Sequence, residues 1–345
     1  MKEFRMAVVG YGQIAPATVA ALADSDFVKI TAVVDIDPAA LSGLRGDADI
    51  RPYGDYYSLL ENSEIDGVYL SIPHMMHTPY AIEAARAGKH VMIEKPFAIN
   101  ERDGRLMLAE FERAKITAGV CMPLRYTAPF RTARKWLETG ALGNIISTRT
   151  LSISHKKENY WTNGVGGQAR RSSWRAYKST AGGGILIMNA IHNIDAVLYL
   201  SGLAPVQAYA AGNTFISPAS VEDAISVIFK YDGGAYGVVE AMSAAVGGIQ
   251  IPYNTWIYGT KGQIRLSDKA VGVFTETDTP GLETEKWNVF EPEECDSRKA
   301  VIEDWAKSAL EGGQPEVCAS AGYLVMSAIL AAYRSMESGE SEEIM

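Results

Sequence analysis

The sequence predicts an α/β protein in which a doubly wound parallel sheet is followed by an α+β domain with an open, largely antiparallel sheet. Three observations lead to this prediction. Up to about residue 122, short apolar runs alternate with helical segments, as in βαβ units. These runs are continuously apolar, which is typical of strands covered on both faces. Beyond about residue 200, strand-like runs follow one another through turns.

The length indicates two domains. The chain has 345 residues, whereas single hydrophobic cores stop growing at roughly 250–300 residues. We therefore expect one domain over residues 1–122 and a second over 123–345. With 47% hydrophobic and 21% charged residues, the composition excludes long disorder, collagen and coiled coil. A net charge of −9 without a basic block argues against nucleic-acid binding.

The cysteines and the N-terminus indicate the compartment. The three cysteines, Cys121, Cys295 and Cys318, are too far apart for a disulfide framework or a CxxC pair. Together with five histidines they form no ligand pattern, so we expect no metal site. The first residues lack the features of a signal peptide, and no apolar run approaches the roughly 18 residues that span a bilayer. These observations predict a cytoplasmic protein without a membrane partner.

Each element of the first half follows from its local pattern. Short apolar, β-rich runs predict strands, and three- to four-residue apolar spacing predicts helices. The predicted strands are 5–10, 29–35, 67–72, 90–93 and 117–122, and the predicted helices are 15–23, 38–44, 79–87 and 101–115.

The second half begins with a helix near 130–139 and a strand at 145–154. A polar loop over 155–182 and a long apolar helix over 184–200 follow. The predicted strands are 205–213, 223–231, 235–242, 251–258 and 262–267, and the predicted helices are 298–311 and 319–337. We expect the acidic tail, 338–345, to fray.

The first turn carries a glycine pattern with the right context for a dinucleotide. Residues 10–15 read Gly-Tyr-Gly-Gln-Ile-Ala, between a strand and a helix, and Asp35 ends the next strand. Gly10 permits the tight turn, Gly12 lets the backbone approach a pyrophosphate, and Asp35 can accept hydrogen bonds from ribose hydroxyls. A carboxylate repels a 2′-phosphate, so we expect NAD rather than NADP. The predicted cofactor residues in this part are Gly10, Gly12, Gln13, Ile14 and Asp35.

A second signature lies in residues 66–96, which contain Pro73, His77, the run Ala-Gly-Lys-His-Val at 87–91, and Glu94-Lys95-Pro96. The order and spacing resemble the Gfo/Idh/MocA oxidoreductases, a family that includes glucose–fructose oxidoreductase and inositol dehydrogenases. The resemblance continues through 125–126, 140–143, 182–184, 192–195 and 258–262. It implies an N-terminal Rossmann domain and a C-terminal domain whose open sheet often supports oligomers, here a homodimer or homotetramer.

The resemblance also assigns roles to residues at the strand ends. Lys95 follows a parallel strand, at the sheet edge where ligands bind. A lysine there can hydrogen-bond a substrate hydroxyl and the cofactor ribose, and the family gives it a catalytic role. By resemblance, the cofactor contacts are Ser71, Pro73, His77, Glu94, Lys95 and Arg125, with Glu94 near the nicotinamide ribose. For His77 a purely structural role is equally open.

A glycine triplet at 182–184 precedes the apolar helix, and we expect it to permit close substrate approach. The common family pattern then has an Asp, and four residues later the His that serves as acid/base. His192 takes the place of that His, but Met188 stands where the Asp is expected. A thioether can neither orient an imidazole nor take a proton. Either Lys95 and His192 suffice, or a substitute comes from residues 155–178, or the chemistry differs.

The polar loop 155–178 combines aromatic and basic side chains. Aromatic faces beside hydrogen-bonding groups suit sugar rings, and arginines also permit a carboxylate or phosphate on the substrate. The predicted substrate residues are Trp161, Arg171, Trp174, Asn189 and His192. The alternative is an ordinary surface excursion or a subunit contact.

Three functions are compatible with these features. The first is an NAD(H)-dependent oxidoreductase of a sugar, polyol or related secondary alcohol, with Lys95 and His192 handling the proton. The second is a glycoside hydrolase or lyase that uses tightly held NAD for transient oxidation. The third is a cofactor-binding sensor without catalysis, against which the presence of Lys95 and His192 argues.

Overall fold

The computed structural model describes residues 2–42, 49–162, 173–249 and 251–345. Within these residues, one sheet has six strands: β1 (Phe4–Val9), β2 (Val28–Val34), β3 (Arg51–Tyr53), β4 (Gly67–Leu70), β5 (His90–Glu94) and β6 (Ala118–Cys121). Their order is β3-β2-β1-β4-β5-β6, and every pairing is parallel. This is the strand order of a doubly wound dinucleotide-binding fold, and it confirms the predicted fold class.

Helices cover this sheet because its strands are apolar on both faces. They are α1 (Ala15–Ala21), α2 (Tyr56–Leu60), α3 (His77–Arg86) and α4 (Glu101–Ala114). The helix predicted over 38–44 does not form over 38–42, where the chain turns, and 43–44 lie outside the described residues. The strand order reverses between β1 and β4, and ligands bind at such a reversal, beyond the carboxyl ends of the strands.

The chain continues through α5 (Ala128–Glu138), β7 (Ile145–Ile153), α6 (Glu158–Thr162), α7 (Lys178–Ala181) and α8 (Ile191–Ser201). The strands that follow are β8 (Pro205–Asn213), β9 (Ala224–Tyr231), β10 (Tyr236–Met242), β11 (Thr255–Gly259), β12 (Gly262–Leu266), β13 (Val271–Thr275) and β14 (Trp287–Phe290). The described chain ends with α9 (Ser297–Glu311), α10 (Ala319–Ser338) and β15 (Glu342–Glu343).

The second sheet, as far as the chain is described, has the order β14-β13-β12-β11-β7-β10-β9-β8-β15. All its pairings are antiparallel except that of β10 with β7. The five strands predicted after residue 200 are confirmed as β8 to β12. The short strands β3, β13, β14 and β15 were not predicted. The tail does not fray as expected, because Glu342 and Glu343 pair with β8.

One face of the second sheet is open. Along β9, alternate residues are buried and exposed, and the exposed ones point away from the helices. A row of side chains in register crosses five strands on this outer face: Tyr209, Ile228, Val238, Arg149 and Trp256. Tyr209 and Ile228 are exposed.

The last two helices return to the first sheet. Trp305 of α9 is fully buried, with its ring centroid 5.0 Å from that of Phe4 in β1. On α4, a Cβ at Gly104 would lie 2.8 Å from Met326 and Tyr323 of α10, so this glycine lets the two helices pack closely. The core of the first sheet therefore includes residues from the far end of the chain. The boundary between 122 and 123 stays a prediction.

One helical stretch in the described part of the chain, Lys178–Ser201, has the length and composition of a membrane-spanning helix. Within the fold, 78% of its most apolar window is buried. The stretch is therefore a core helix, and it carries residues of the candidate site.

Candidate active site

The glycine turn leaves an open cradle at the end of β1. Gly10 has a φ of +83°, and a Cβ there would lie 2.5 Å from the Ser71 carbonyl oxygen, so the fold itself requires this glycine. A Cβ at Gly12, in contrast, would meet nothing within 4 Å. The Asp35 carboxylate accepts hydrogen bonds from the backbone N–H groups of Tyr11 (2.7 Å) and Asp37 (2.8 Å). The turn is thus anchored to the end of β2, with free space in front of Gly12.

The end of β4 is tied to the segment after β5 by a histidine. His77 is fully buried. Its Nδ1 lies 2.8 Å from the Pro96 carbonyl oxygen, and its Nε2 lies 3.1 Å from that of Ile72. Burial lowers the pKa of His77, although both carbonyl contacts oppose the shift. The ring therefore holds together the segments that follow β4 and β5. Direct cofactor contacts by His77, Ser71 and Pro73 stay predictions.

Glu94 belongs to a buried polar cluster. Its Oε1 accepts hydrogen bonds from the Tyr69 hydroxyl (2.5 Å) and from Arg298 Nη1 (2.9 Å) of α9. Burial alone would raise the pKa of Glu94, but Arg298 and the Tyr69 hydroxyl together hold it below its usual value. The predicted ribose contact of Glu94 stays a prediction, since this oxygen faces Tyr69 and Arg298.

Lys95 lies one residue beyond β5, and its ammonium donates a hydrogen bond to the main-chain carbonyl of Met188. Burial lowers the pKa of Lys95 to about 8, although the neighbouring Glu94 carboxylate opposes the shift. Both the protonated and the neutral amine are therefore accessible near neutral pH.

The helix that carries Met188 starts irregularly. Residues Leu186–Ala190 form a π-helical turn before α8 begins. A Cβ at Gly183 would lie 2.2 Å from the Tyr333 hydroxyl, and one at Gly184 would lie 1.9 Å from the Glu222 carbonyl oxygen. The expectation that the glycine triplet admits substrate is wrong for these two glycines. They admit other parts of the protein.

His192 faces the same region as Lys95. Its Nδ1 is buried without a hydrogen-bond partner in the described part of the chain. Burial and the nearby Lys95 ammonium lower the pKa of His192 to about 3, so the ring is neutral at pH 7. The Met188 side chain is 2% exposed, and its sulfur lies 3.7 Å from the Tyr160 hydroxyl. Met188 thus leaves the imidazole without the carboxylate of the family pattern.

A cavity of about 930 Å³ opens beside this helix. Its walls combine amide, imidazole and aliphatic groups, from Leu124, Ile153, Asn189, His192, Asn193 and Asn254 among others. Pockets of this size hold small organic molecules. Asn189 and His192 line it together, so both predicted substrate residues of the helix face one space.

The polar loop contributes differently from what the sequence predicts. Trp161 is 1% exposed and packs in the core, so its predicted substrate contact has no support from its exposure and stays a prediction. Trp174 stacks edge-on against His74 at 4.4 Å, and the Arg175 guanidinium lies 4.5 Å from the Trp174 ring. Arg171 lies outside the described residues.

Tyr160 is a site residue that the sequence analysis did not select. Its hydroxyl donates a hydrogen bond of 2.9 Å to Asn189 Oδ1. Lys156 and Arg175 lie over its ring, at 5.3 and 5.7 Å from the centroid. The only available signal was its place in the aromatic and basic loop, which does not distinguish Tyr160 from Trp161.

Arg125 is held by other protein groups, and its predicted cofactor contact stays a prediction. Its guanidinium forms a buried, two-pronged ion pair with Asp195 (2.7 and 2.5 Å), and it also donates to the Glu316 carbonyl oxygen. The ring of Tyr199 covers it at 4.8 Å. Two of its nitrogens therefore bind α8, and the third binds the segment between α9 and α10.

Comparisons with known proteins agree with this architecture. The model of the oxidoreductase family with an NAD-binding Rossmann fold, Gfo/Idh/MocA, matches residues 4–121. The model of the Gfo/Idh/MocA C-terminal domain matches residues 130–265. The chain belongs to the Gfo/Idh/MocA family. It is an oxidoreductase, and its first domain binds NAD.

Individual relatives are distant. Levoglucosan dehydrogenase from Pseudarthrobacter phenanthrenivorans is 30% identical over 233 residues, which cover 61% of this chain and 57% of that enzyme. Myo-inositol 2-dehydrogenase from Thermotoga maritima is 23% identical, over 99% of this chain and 98% of the enzyme. The crystal structure of an oxidoreductase domain protein from Kribbella flavida superposes with a TM-score of 0.88 at 22% identity, covering both chains completely. At this identity the structural likeness concerns the fold alone.

Proposed function

We propose that this oxidoreductase acts on a secondary alcohol or ketone of a sugar, polyol or sugar derivative, with Lys95 carrying the proton and His192 orienting the reacting oxygen. One observation carries the proposal. The Lys95 ammonium lies close enough to the His192 imidazole to lower its pKa, Lys95 stands at the carboxyl edge of the parallel sheet, and His192 lines a cavity of substrate size.

The residues at the strand ends fit a dinucleotide. The free space in front of Gly12 can admit a pyrophosphate, and the Asp35 carboxylate stands at the end of β2, where ribose hydroxyls bind. Beside it, the Ile36 side chain is 90% exposed and offers an apolar surface to a flat base. Asp35 and Asp37 disfavour a 2′-phosphate, so we propose NAD rather than NADP. When bound, the nicotinamide supplies the hydride acceptor or donor.

Of the two candidate bases, Lys95 suits the proton step better. A general base works best when its pKa lies near the working pH. The pKa of Lys95 is about 8, whereas that of His192 is about 3. We therefore assign proton transfer to the Lys95 Nζ. The neutral His192 ring can donate or accept one hydrogen bond and so hold the substrate hydroxyl or carbonyl.

The cavity walls support a polyhydroxylated substrate. Asn189 and His192 offer hydrogen bonds, and Leu124 and Ile153 offer apolar contact to C–H groups. The two dehydrogenases compared above are named for a sugar anhydride and an inositol. This agreement supports the substrate class and leaves the individual substrate and its stereochemistry to experiment.

We also propose a homodimer or homotetramer that forms through the outer face of the second sheet. The support is the row from Tyr209 to Trp256, in which four aromatic or aliphatic side chains and Arg149 stand in register on a face that no described helix covers. Adjacent exposed apolar side chains such as Tyr209 and Ile228 are typical of protein interfaces.

The test is the absorbance at 340 nm of the purified protein with NAD⁺ or NADP⁺ and a panel of myo-inositol, D-glucose, levoglucosan and glycosides. We expect NADH to form with a free sugar or polyol. In the oxidation direction the rate should rise with pH through about 8, because only the neutral Lys95 amine can accept the proton. Lys95→Met should abolish turnover.

Lys89→Met is the matched control, since Lys89 is also bonded to main-chain carbonyls but lies at the opposite end of β5. It should retain turnover under conditions where it is folded. Wild-type rates in Lys95→Met would contradict the proposed proton carrier. Cleavage of a glycoside without net NADH formation would instead support a hydrolase or lyase that uses transient oxidation. This alternative is considered because Met188 stands where the family pattern has an acid, which permits a different mechanism.

A further inference from the structure

The N-terminus of the helix that carries Asn189 and His192 is held by two side chains from elsewhere in the chain. Glu222, just before β9, accepts hydrogen bonds from the N–H groups of Gly184 (2.6 Å, to Oε2) and Leu186 (3.0 Å, to Oε1). The Tyr333 hydroxyl of α10 donates to Glu222 Oε1 (2.9 Å) and accepts from the Ile187 N–H (3.2 Å).

The main chain completes this arrangement. The Glu222 carbonyl oxygen accepts from the Ile185 N–H at 3.0 Å. Four consecutive N–H groups, from residue 184 to residue 187, are therefore all bound by Glu222 and Tyr333. Helix starts leave such groups without intrahelical partners, and this helix has no capping side chain of its own. We call the pair Glu222 and Tyr333 the helix clamp.

We propose that the helix clamp positions the catalytic helix, so that Glu222 and Tyr333 are positioning residues for the reaction. The inference rests on the proposed function of Lys95 and His192. The carbonyl that anchors Lys95 belongs to Met188, one residue beyond the last clamped N–H group. Asn189 follows directly, and His192 lies one turn further. A shift of the helix start is thus passed to all three contacts.

Close packing leaves the helix start little freedom. The Tyr333 hydroxyl and the Glu222 carbonyl occupy the space that side chains at residues 183 and 184 would need. Interiors packed at this density transmit small displacements rather than absorbing them. A misplacement of about 1 Å in an active site can reduce the rate roughly 100-fold. The clamp therefore affects kcat more than cofactor affinity. The strand ends that bind NAD belong to the parallel sheet, whereas the clamp binds the N–H groups of residues 184–187.

The clamp also has a protonation state that pH can change. Burial raises the pKa of Glu222 to about 7, although its hydrogen-bond donors oppose the shift. Those partners are the Tyr333 hydroxyl from α10 and the N–H groups of the helix, while the adjacent Asp223 carboxylate binds the N–H groups of residues 215–217 instead. Because every side-chain partner of Glu222 is a donor, protonation weakens the clamp.

The experiment compares two clamp variants, Tyr333→Phe and Glu222→Gln, with two matched controls. Ser335→Ala removes another buried hydroxyl of α10, one that binds the Ala210 N–H of β8. Asp223→Asn changes the neighbouring buried carboxylate. For each protein we would measure kcat and KM on the best substrate of the panel, NADH affinity by fluorescence, the melting temperature, and hydrogen exchange over residues 184–192.

We expect the clamp variants to lose roughly 10- to 100-fold in kcat while their NADH dissociation constant stays within about twofold. Exchange over 184–192 should be faster than in the wild type, a readout that needs no substrate. An ionisation near pH 7 in the kcat profile should disappear in Glu222→Gln. Both controls should keep wild-type kcat and exchange over this helix, even where they lower the melting temperature.

Two results would overturn the inference. One is wild-type kcat and wild-type exchange in Tyr333→Phe, which removes a single oxygen and is the variant that disturbs folding least. The other is an equal loss of kcat in the controls at an equal loss of melting temperature. Failure of the proposed function looks different: Lys95→Met and His192→Ala would then retain wild-type rates.

Discussion

Position 188 carries no acid that could stabilise a charged imidazole at His192. Nδ1 of His192 has no hydrogen-bond partner in the described part of the chain, and burial together with Lys95 lowers the pKa of His192 to about 3 although Glu94 opposes the shift. A carboxylate in contact with an imidazole stabilises the imidazolium and raises its pKa. The thioether of Met188 provides no such charge. The proposed assignment of the proton to Lys95 rather than His192 rests on the pKa values of about 8 and about 3, and Met188 adds no charge that would change this order.

Introducing an acid at position 188 should raise the pKa of His192 toward its ordinary value. We expect His192 in Met188→Asp to titrate several units above 3, toward the usual value of about 6.5. An NMR titration of the labelled imidazole measures this shift directly. Met188→Leu is the control, because it keeps the volume and adds no charge, and its His192 should stay neutral throughout the accessible range. Identical titrations in the two variants would contradict the electrostatic account.

Two single residues show what the sequence could not predict. The family resemblance places Arg125 near the cofactor, and it gives no sign of the ion pair that Arg125 forms with Asp195, which is 70 positions away in the sequence. Tyr160 and Trp161 are adjacent aromatic residues, yet Trp161 lies in the core and Tyr160 hydrogen-bonds Asn189. Partners distant in sequence decide both cases, and a local pattern contains no information about them.

At the scale of elements, the two glycines of the turn after β1 have different roles, one in folding and one in cofactor binding. A Cβ at Gly10 meets the Ser71 carbonyl, whereas one at Gly12 meets open space. Gly10 is therefore required by the fold, and Gly12 leaves room for a ligand. The motif suggests these two roles, and the distances from each Cβ position distinguish them.

We expect Gly10→Ala to reduce the free energy of unfolding by about 1–3 kcal/mol, since the residue has a positive φ and no room for a methyl group. Gly12→Ala should change it by less than about 1 kcal/mol. Its methyl group would instead occupy the space of the pyrophosphate and weaken NADH binding roughly tenfold or more. Urea unfolding and NADH fluorescence separate the two effects. Equal losses of stability would refute the distinction.

The glycine triplet shows the limit of reading an element by analogy. Three glycines before a helix suggest an approach by substrate. Gly183 and Gly184 instead admit Tyr333 and Glu222, which come from positions far along the chain. The longer strands of both sheets, in contrast, follow from apolar runs and turns, because burial on one or two faces is a local requirement that the sequence must meet residue by residue.

At the scale of the whole molecule, the outer face of the second sheet should control assembly. Ile228 is 50% exposed within its row, whereas Leu106 is 49% exposed on α4, away from this sheet. We expect Ile228→Glu to shift the protein toward monomer in light scattering after size exclusion, because a charge would be buried at the interface. Leu106→Glu should leave the mass unchanged. A wild-type mass in both variants would place the interface elsewhere.

The two-domain division itself was predictable, but the way the halves are joined was not. Periodicity shows where most strands and helices lie, and the parallel and the largely antiparallel sheet follow from it except for their short strands. That α9 and α10 complete the core of the first sheet depends on contacts such as Trp305 with Phe4, about 300 positions apart. Hydrophobic patterns predict that a helix is buried, without saying against which sheet.

The bond between the Lys95 ammonium and the main chain at position 188 has a consequence for how the enzyme can change over generations. Every amino acid supplies the carbonyl oxygen that this bond requires. The side chain at 188 can therefore be exchanged without releasing the lysine. Substitutions at position 188 can therefore change the pKa of His192 and the substrate preference, while the hydrogen bond that holds Lys95 is kept.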